Sequence, residues 1–233
     1  MRVKILKDDQ DILVCIKPQG VATQSDKSMD MDLMNYLKNQ IFKKHPYQGE
    51  PELYVVHRLD RPVGGIVVLA KNKKAAAELN RQIQAGEMEK FYQAVLTGEL
   101  PDWEGTLVDY LAKNGTTNTS VVVDKNDKDA KRAELHYEVL DVIETDEGIL
   151  SYVLIELITG RHHQIRVQMA HCDAGIWGDT KYNPAFQNTK KVYRQIGLYA
   201  TQLSFVHPTT GERLRFKTEP EGEAFDLLDV DEV

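Results

Sequence analysis

This sequence is poor in cysteine, has no long apolar run and shows no excess of positive charge. Cys15 and Cys172 are the two cysteines in 233 residues. They are too few and too far apart for a disulfide framework or a metal-binding pair, which excludes a small disulfide-stapled scaffold. No stretch approaches the roughly 20 apolar residues that span a bilayer. The opening "MRVKILKDDQ" lacks the apolar core and cleavage site of a secretion signal. A reduced, cytoplasmic protein without a membrane partner is the expectation.

Three further absences narrow the chemistry. There is no glycine-rich phosphate loop ahead of a helix, no dinucleotide fingerprint and no serine elbow. His162, His163 and His171 suggest a metal at first sight. His163 and His171 are eight positions apart, about two helical turns and too far for neighbouring ligands on one face. No metal and no cofactor are expected.

What is present starts with charge. The net charge of −7 argues against nucleic acid until it is located. Seven acids fall after Thr218, with no Lys or Arg among them; 36 less those seven leaves 29, equal to the 29 Lys and Arg. The body is therefore neutral, and an acidic tail colours the total. Residues 57–95 carry seven Lys/Arg against four acids, and residues 161–217 carry nine against three. Brought together, those segments make a basic face; left apart, they are scattered solvated cations.

With 42% hydrophobic residues, the chain has enough apolar surface for one large domain. "VKIL" and "ILVCIK" read as strands around a turn at Lys7 to Gln10, and "KPQGVATQS" as a loop. Leu33, Leu37 and Ile41 have helical spacing, with Asp30 or Asp32 as cap. "LYVV" and "GIVVLAK" read as strands. Asn72 caps a helix over "KKAAAELNRQIQAG" that Gly86 stops. "KFYQAVLTG" is a strand, and strands continue to about residue 158 with turns at Asn114–Gly115 and Asp146–Gly148. "HHQIRVQMAHC" reads as a helix after a turn at Thr159–Gly160. "LYATQLSFVHP" and "RLRFKT" read as a strand pair, and 221–228 as a last short helix. The alternation points to an α+β fold around a mixed, mostly antiparallel sheet. The middle, 98–145, is the segment that could leave that sheet.

The chemistry concentrates in "VVHRLDRPVGGIVVLAKN", where His57, Arg58, Asp60 and Arg61 sit between two apolar strands. A carboxylate there is costly to desolvate without a cation. From these residues alone Asp60 is either a loop-pinning ion pair or a catalytic group. "TGRHHQIRVQMAH" supplies a second patch, with Arg161 at a turn and Arg166 in the first turns of a helix. Pairing Arg166 with Asp60 would satisfy both charges.

Taken in order, "ILVCIKPQG", "HRLD", "KFYQAVLTG", "TGRHHQIRVQMAH" and "GIWGDTKY" resemble the RluA-type pseudouridine synthases, over about residues 3 to 217. The resemblance implies a catalytic domain with a central cleft over 1–217, followed by the acidic tail over 218–233; many members carry a small RNA-binding domain ahead of the catalytic one, which is not expected here. It implies isomerisation of uridine in structured ribosomal or transfer RNA, with no cofactor and no obligatory protein partner. Carried over residue by residue, Asp60 is the catalytic aspartate and Arg166 the basic residue that pairs with it. Tyr92 stacks on the target base, and Arg58 enters the space that the flipped nucleotide leaves. Arg161 and Gln164 shape the site or meet the RNA backbone. Val63 and Gly64 stand where members commonly have hydroxyl residues, and His162 where a small hydroxyl residue is frequent. Two rivals remain: an RNA-binding module of the same fold without catalysis, and a hydrolase using Asp60 with His57 or His163.

Overall fold

Apolar runs that do not alternate become the most deeply buried strands. The computed structural model describes residues 1–24, 31–44, 46, 49–146, 148–188 and 195–228. Its first elements are β1 (Lys4–Asp8), β2 (Ile12–Lys17), α1 (Leu33–Lys44), β3 (Tyr54–Val55), β4 (Gly64–Ala70) and α2 (Lys73–Gln84). Then come β5 (Glu89–Thr97), β6 (Glu104–Asn114), β7 (Thr119–Val122), β8 (Lys131–Thr145) and β9 (Gly148–Leu157). The last are α3 (Gln164–His171), α4 (Pro184–Gln187), β10 (Leu198–Val206), β11 (Arg213–Lys217) and α5 (Glu223–Asp226). The fold is α+β on a mixed sheet, mostly antiparallel. The chain gathers into two compact units, Met1–Glu89 with Ala200–Glu219 and Lys90–Tyr199 with Pro220–Val233.

In the first unit β2 runs antiparallel to both β1 and β4, with Val14 opposite Val68 and Ile16 opposite Ile66. Every residue of β2 and β4 is buried. Strands covered on both faces have no solvent side, so their sequences show no period of two. Ala75, Ala76 and Leu79 of α2 join Ile12, Val14, Ile66, Val68, Leu203 and Phe205 in one core. Each fully buried Leu, Ile, Val or Phe there contributes about 1.5–3 kcal/mol.

The caps follow the sequence. The Asn72 side chain accepts from Ala75 N–H, and Gly86, at φ +71°, lies just past the end of α2. Asp32 caps α1 by accepting from Asn35 N–H at 2.7 Å; the other candidate, Asp30, lies outside the described residues. The strand expected over residues 53–56 shrinks to Tyr54–Val55. Gly65 has φ +119°, and a side-chain carbon there would meet the Ala200 carbonyl oxygen at 2.3 Å. Only glycine fits that position.

In the second unit the strand order is β5–β9–β8–β6–β7, with every neighbouring pair antiparallel. The doubtful middle segment is thus part of a sheet. Along β8, Ala133, Leu135, Tyr137 and Val139 are buried while Arg132, His136 and Glu138 are exposed, the alternation of a half-covered sheet. α4 was not foreseen, although "NPAFQ" carries its signal: Asn183 accepts from Ala185 N–H and proline holds the first turn.

The segment read as a tail from 218 is packed in part. Ala224 and Phe225 are buried, and the Phe225 ring meets Tyr152 and Tyr199 edge-on, with centroids at 6.4 and 6.3 Å. Its acids surround a short apolar anchor that a charge count hides. Asp229, Asp231 and Glu232 lie outside the described residues. No helix among the described residues is long and apolar enough to cross a membrane.

Candidate active site

The loop between β3 and β4 carries His57, Arg58, Asp60 and Arg61, and the "KPQGVAT" segment after β2 fastens it. Thr23 is buried, and its hydroxyl donates to the Leu59 carbonyl at 3.0 Å while accepting from Leu59 N–H at 3.2 Å. On the other side of Asp60, the Lys17 ammonium donates to the Arg61 carbonyl at 3.3 Å. The Arg61 Nε donates to the Gly20 carbonyl at 3.1 Å. A turn closes the loop, with Val63 N–H donating to the Asp60 carbonyl at 3.0 Å. His57 Nε2 accepts from Val68 N–H at 3.1 Å, which ties the start of the loop to β4. The main chain is thus held one residue before Asp60 and one residue after it.

Asp60 itself is half-buried, less covered than a residue between two apolar strands was expected to be, and Arg58 is exposed. Lys17 is fully buried. Burial pushes its ammonium down to about 7, while the Asp60 charge raises it and Arg61 adds to the depression. Its three N–H groups meet three carbonyls, those of Pro18 at 3.0 Å, Val21 at 2.6 Å and Arg61 at 3.3 Å. That geometry suits the charged form, which alone has three donors.

The second unit holds the other candidates. Tyr92 of β5 is buried, facing Ile155, which in turn faces Tyr137. Arg166 of α3 is 5% exposed and Asp179 1%. Arg166 Nε donates to Asp179 Oδ2 at 2.7 Å and its Nη2 to Oδ1 at 2.8 Å. This two-pronged grip fixes the guanidinium plane. The guanidinium also lies over the Tyr182 ring, 5.1 Å from its centroid. The Tyr182 hydroxyl accepts from Ser120 N–H at 2.8 Å and contacts His163 Nδ1 at 2.6 Å.

The turn before α3 is built by Gln164. Its side-chain oxygen accepts from Arg161 N–H at 2.9 Å and from the Thr159 hydroxyl at 2.8 Å. Its amide nitrogen donates to the Glu134 carbonyl at 3.0 Å. Gln164 is buried, and these bonds set the shape of the turn from inside. Arg161 is exposed, with Nε on the Arg132 carbonyl at 2.8 Å. His162, in place of a small hydroxyl residue, stacks on His163 at 3.7 Å and bonds through Nδ1 to the Ser120 hydroxyl at 2.9 Å. The neighbouring His163 takes a left-handed backbone, φ +54°. His171 Nδ1 lies 3.0 Å from Asp109.

Sequence reasoning missed Lys17 and Thr23, which hold the Asp60 loop, and Asp179, which grips Arg166. "KPQG" and "GIWGDTKY" were visible as motifs, but nothing local tells a buried lysine from a loop lysine.

The family model described as RNA pseudouridylate synthase matches residues 11–171, from the start of β2 to the end of α3. The chain belongs to the RNA pseudouridylate synthase family. Among its relatives, the synthase is 31% identical to tRNA pseudouridine synthase C of Yersinia pestis, over 91% of this chain and 84% of that one. It is 29% identical to ribosomal large subunit pseudouridine synthase D of Neisseria meningitidis, over 99% of this chain and 61% of that one. A solved human structure, RNA pseudouridylate synthase domain containing 1, shares the fold at TM-score 0.74 and 23% identity, covering 94% of this chain and 84% of that one. The synthase is an isomerase of the RluA type.

Proposed function

We propose that this synthase isomerises uridine in folded ribosomal or transfer RNA, with Asp60 as its catalytic carboxylate. One observation carries the assignment of Asp60. The main chain is pinned at Leu59 and at Arg61 by buried groups, while the residue between them stays half-buried. A carboxylate on a fixed backbone with a side still open is pre-organised to meet a substrate.

The reaction breaks the bond from ribose C1′ to uracil N1 and makes one from C1′ to C5. The C5 proton is lost and N1 gains one, so atoms balance with no oxidant and no imported group. The reading therefore requires no cofactor. A carboxylate near the sugar and base is suited to such a step, as in other glycosidic chemistry. Arg166, locked by Asp179, is the proposed cation for that carboxylate. Tyr92 is the proposed stacking surface, Arg58 the side chain that fills the gap in the RNA, and Arg161 and Gln164 the turn that shapes the site. Extruding a base costs a few kcal/mol, which stacking and gap-filling offset. The reading places the enzyme in the cytoplasm with its RNA and calls for no protein partner.

Pseudouridine mapping of total RNA from cells with and without the gene tests the function. Sites that vanish with the gene and return with the wild-type protein, but not with Asp60→Asn, are the expected result. Sites restored by a folded Asp60→Asn protein would overturn the assignment of Asp60.

A further inference from the structure

Among the described residues, Lys90 is a half-buried cation without a counter-charge. It stands in β5 two residues before Tyr92, so both side chains leave the same face of the strand, roughly 7 Å apart along it. Ile155, opposite Tyr92, and Leu157, on the same face of β9, are buried and apolar. At its far end the ammonium reaches the turn ahead of α3: a side-chain carbon on Gly160 would stand 3.7 Å from Nζ. The next residue is Arg161, whose guanidinium is anchored on the Arg132 carbonyl.

Among the described residues, Lys90 makes no hydrogen bond and no ion pair. Burial holds its ammonium below the ordinary lysine range, and no carboxylate pulls the other way. Two other covered lysines are satisfied: Lys71 reaches Asp8 at 2.7 Å, and Lys17 has three carbonyls. A partly desolvated cation with no partner destabilises the free protein, and no anion among the described residues offsets it. Such a group is placed for a ligand that brings its own negative charge.

We propose that Lys90 is an anion subsite of the synthase, taking a backbone phosphate of the RNA beside the nucleotide that stacks on Tyr92. The proposal rests on the reading of Tyr92 given above. An ammonium suits this task, because a compact charge with three rotatable donors accepts a phosphate in many orientations. Glycine at 160 leaves the approach to Nζ open on the turn side.

The test compares wild type, Lys90→Met, Lys90→Gln, Lys90→Arg and Asp60→Asn. Binding of bulk bacterial transfer RNA and ribosomal RNA is titrated at several salt concentrations, beside thermal melts of the free proteins. Loss of one phosphate contact should lower the slope of log affinity against log salt by about 0.7–0.9 and weaken binding to both RNAs alike. Lys90→Met and Lys90→Gln should show this, Lys90→Arg should keep the wild-type slope, and Asp60→Asn should keep it while losing conversion. The free Lys90→Met protein should melt no lower than wild type, since it loses a charge and no partner. Wild-type slope and affinity in both Lys90→Met and Lys90→Gln would overturn the proposal, as would a lowered melting temperature in the two together. RNA binding that depends on Lys90 without any pseudouridine formation would overturn the function reading and leave the subsite standing. Conversion with binding indifferent to Lys90 would do the reverse.

Discussion

Thr23 holds Leu59 by both of its backbone polar groups, through one hydroxyl at 3.0 and 3.2 Å. The contact joins residues 36 positions apart, and it ends one peptide before the proposed catalytic carboxylate. Valine in place of Thr23 keeps the shape and removes the bonds. A buried N–H and C=O left unpaired cost about 1–3 kcal/mol, and the loop is then free to shift. Thr23→Val should therefore lower kcat more than tenfold with RNA affinity near wild type, whereas Thr23→Ser should restore most of it. Single-turnover conversion and binding titrations on the two variants check this; equal kcat in both would sink it.

Arg166 and Asp179 form a pair with almost no exposed surface. Removing one member of such a pair strands the other charge, at about 3–5 kcal/mol. Arg166→Met and Asp179→Asn should each lower the melting temperature. Combined, their effects should fall short of the sum, because one interaction cannot be lost twice. A double-mutant cycle by denaturant unfolding measures the coupling. Strict additivity would mean that the two-pronged contact carries no stability.

Lys17 makes a prediction about pH. Its folded ammonium is depressed to about 7 from the ordinary lysine value of 10.5. Between those two values the unfolded chain binds more protons than the folded one, so stability rises with pH across the window. Below about 7 both states are charged and the full penalty stands; above 10.5 both are neutral and it is gone. Unfolding free energies at pH 6.5, 8 and 9.5 should climb in wild type relative to Lys17→Met. The slope is the readout rather than the level, since methionine also leaves three carbonyls without a donor. A flat difference across the series would show that the three carbonyls keep the proton on throughout.

Phe225 anchors the acidic end of the chain in the second unit. Truncating a buried Phe to Ala costs about 3–5 kcal/mol. Phe225→Ala should lower the melting temperature, and deletion of residues 221–233 should lower it at least as much. A pure acidic tail would instead be removed without effect. Melts of both variants, with Phe225→Leu as the milder control, decide between the two.

The sequence by itself determined what depends on near neighbours in the chain. Helix α2 was legible from Asn72 through Gly86, because a cap and a stop act within a turn of the residues they serve. Strands β2 and β4 were legible from unbroken apolar runs, and β11 and the pair β8–β9 from length and turns. The order of "HRLD", "KFYQAVLTG" and "TGRHHQIRVQMAH" sufficed for the family, and with it the candidates Asp60, Tyr92 and Arg166.

Only the tertiary structure decided how those candidates are held. That Thr23 clamps Leu59, that Asp179 grips Arg166, and that Phe225 is core rather than tail are facts about residues 36, 13 and 26 or more positions apart. The same holds for the lysines. Lys17 and Lys90 each stand near an end of a strand, Lys17 fully buried and Lys90 half-buried, and burial lowers both ammonium groups. One is met by three carbonyls and the other by none among the described residues. A hydrogen bond or a desolvated charge is a property of what lies within a few ångströms in space. Residue type and spacing along the chain do not carry that information.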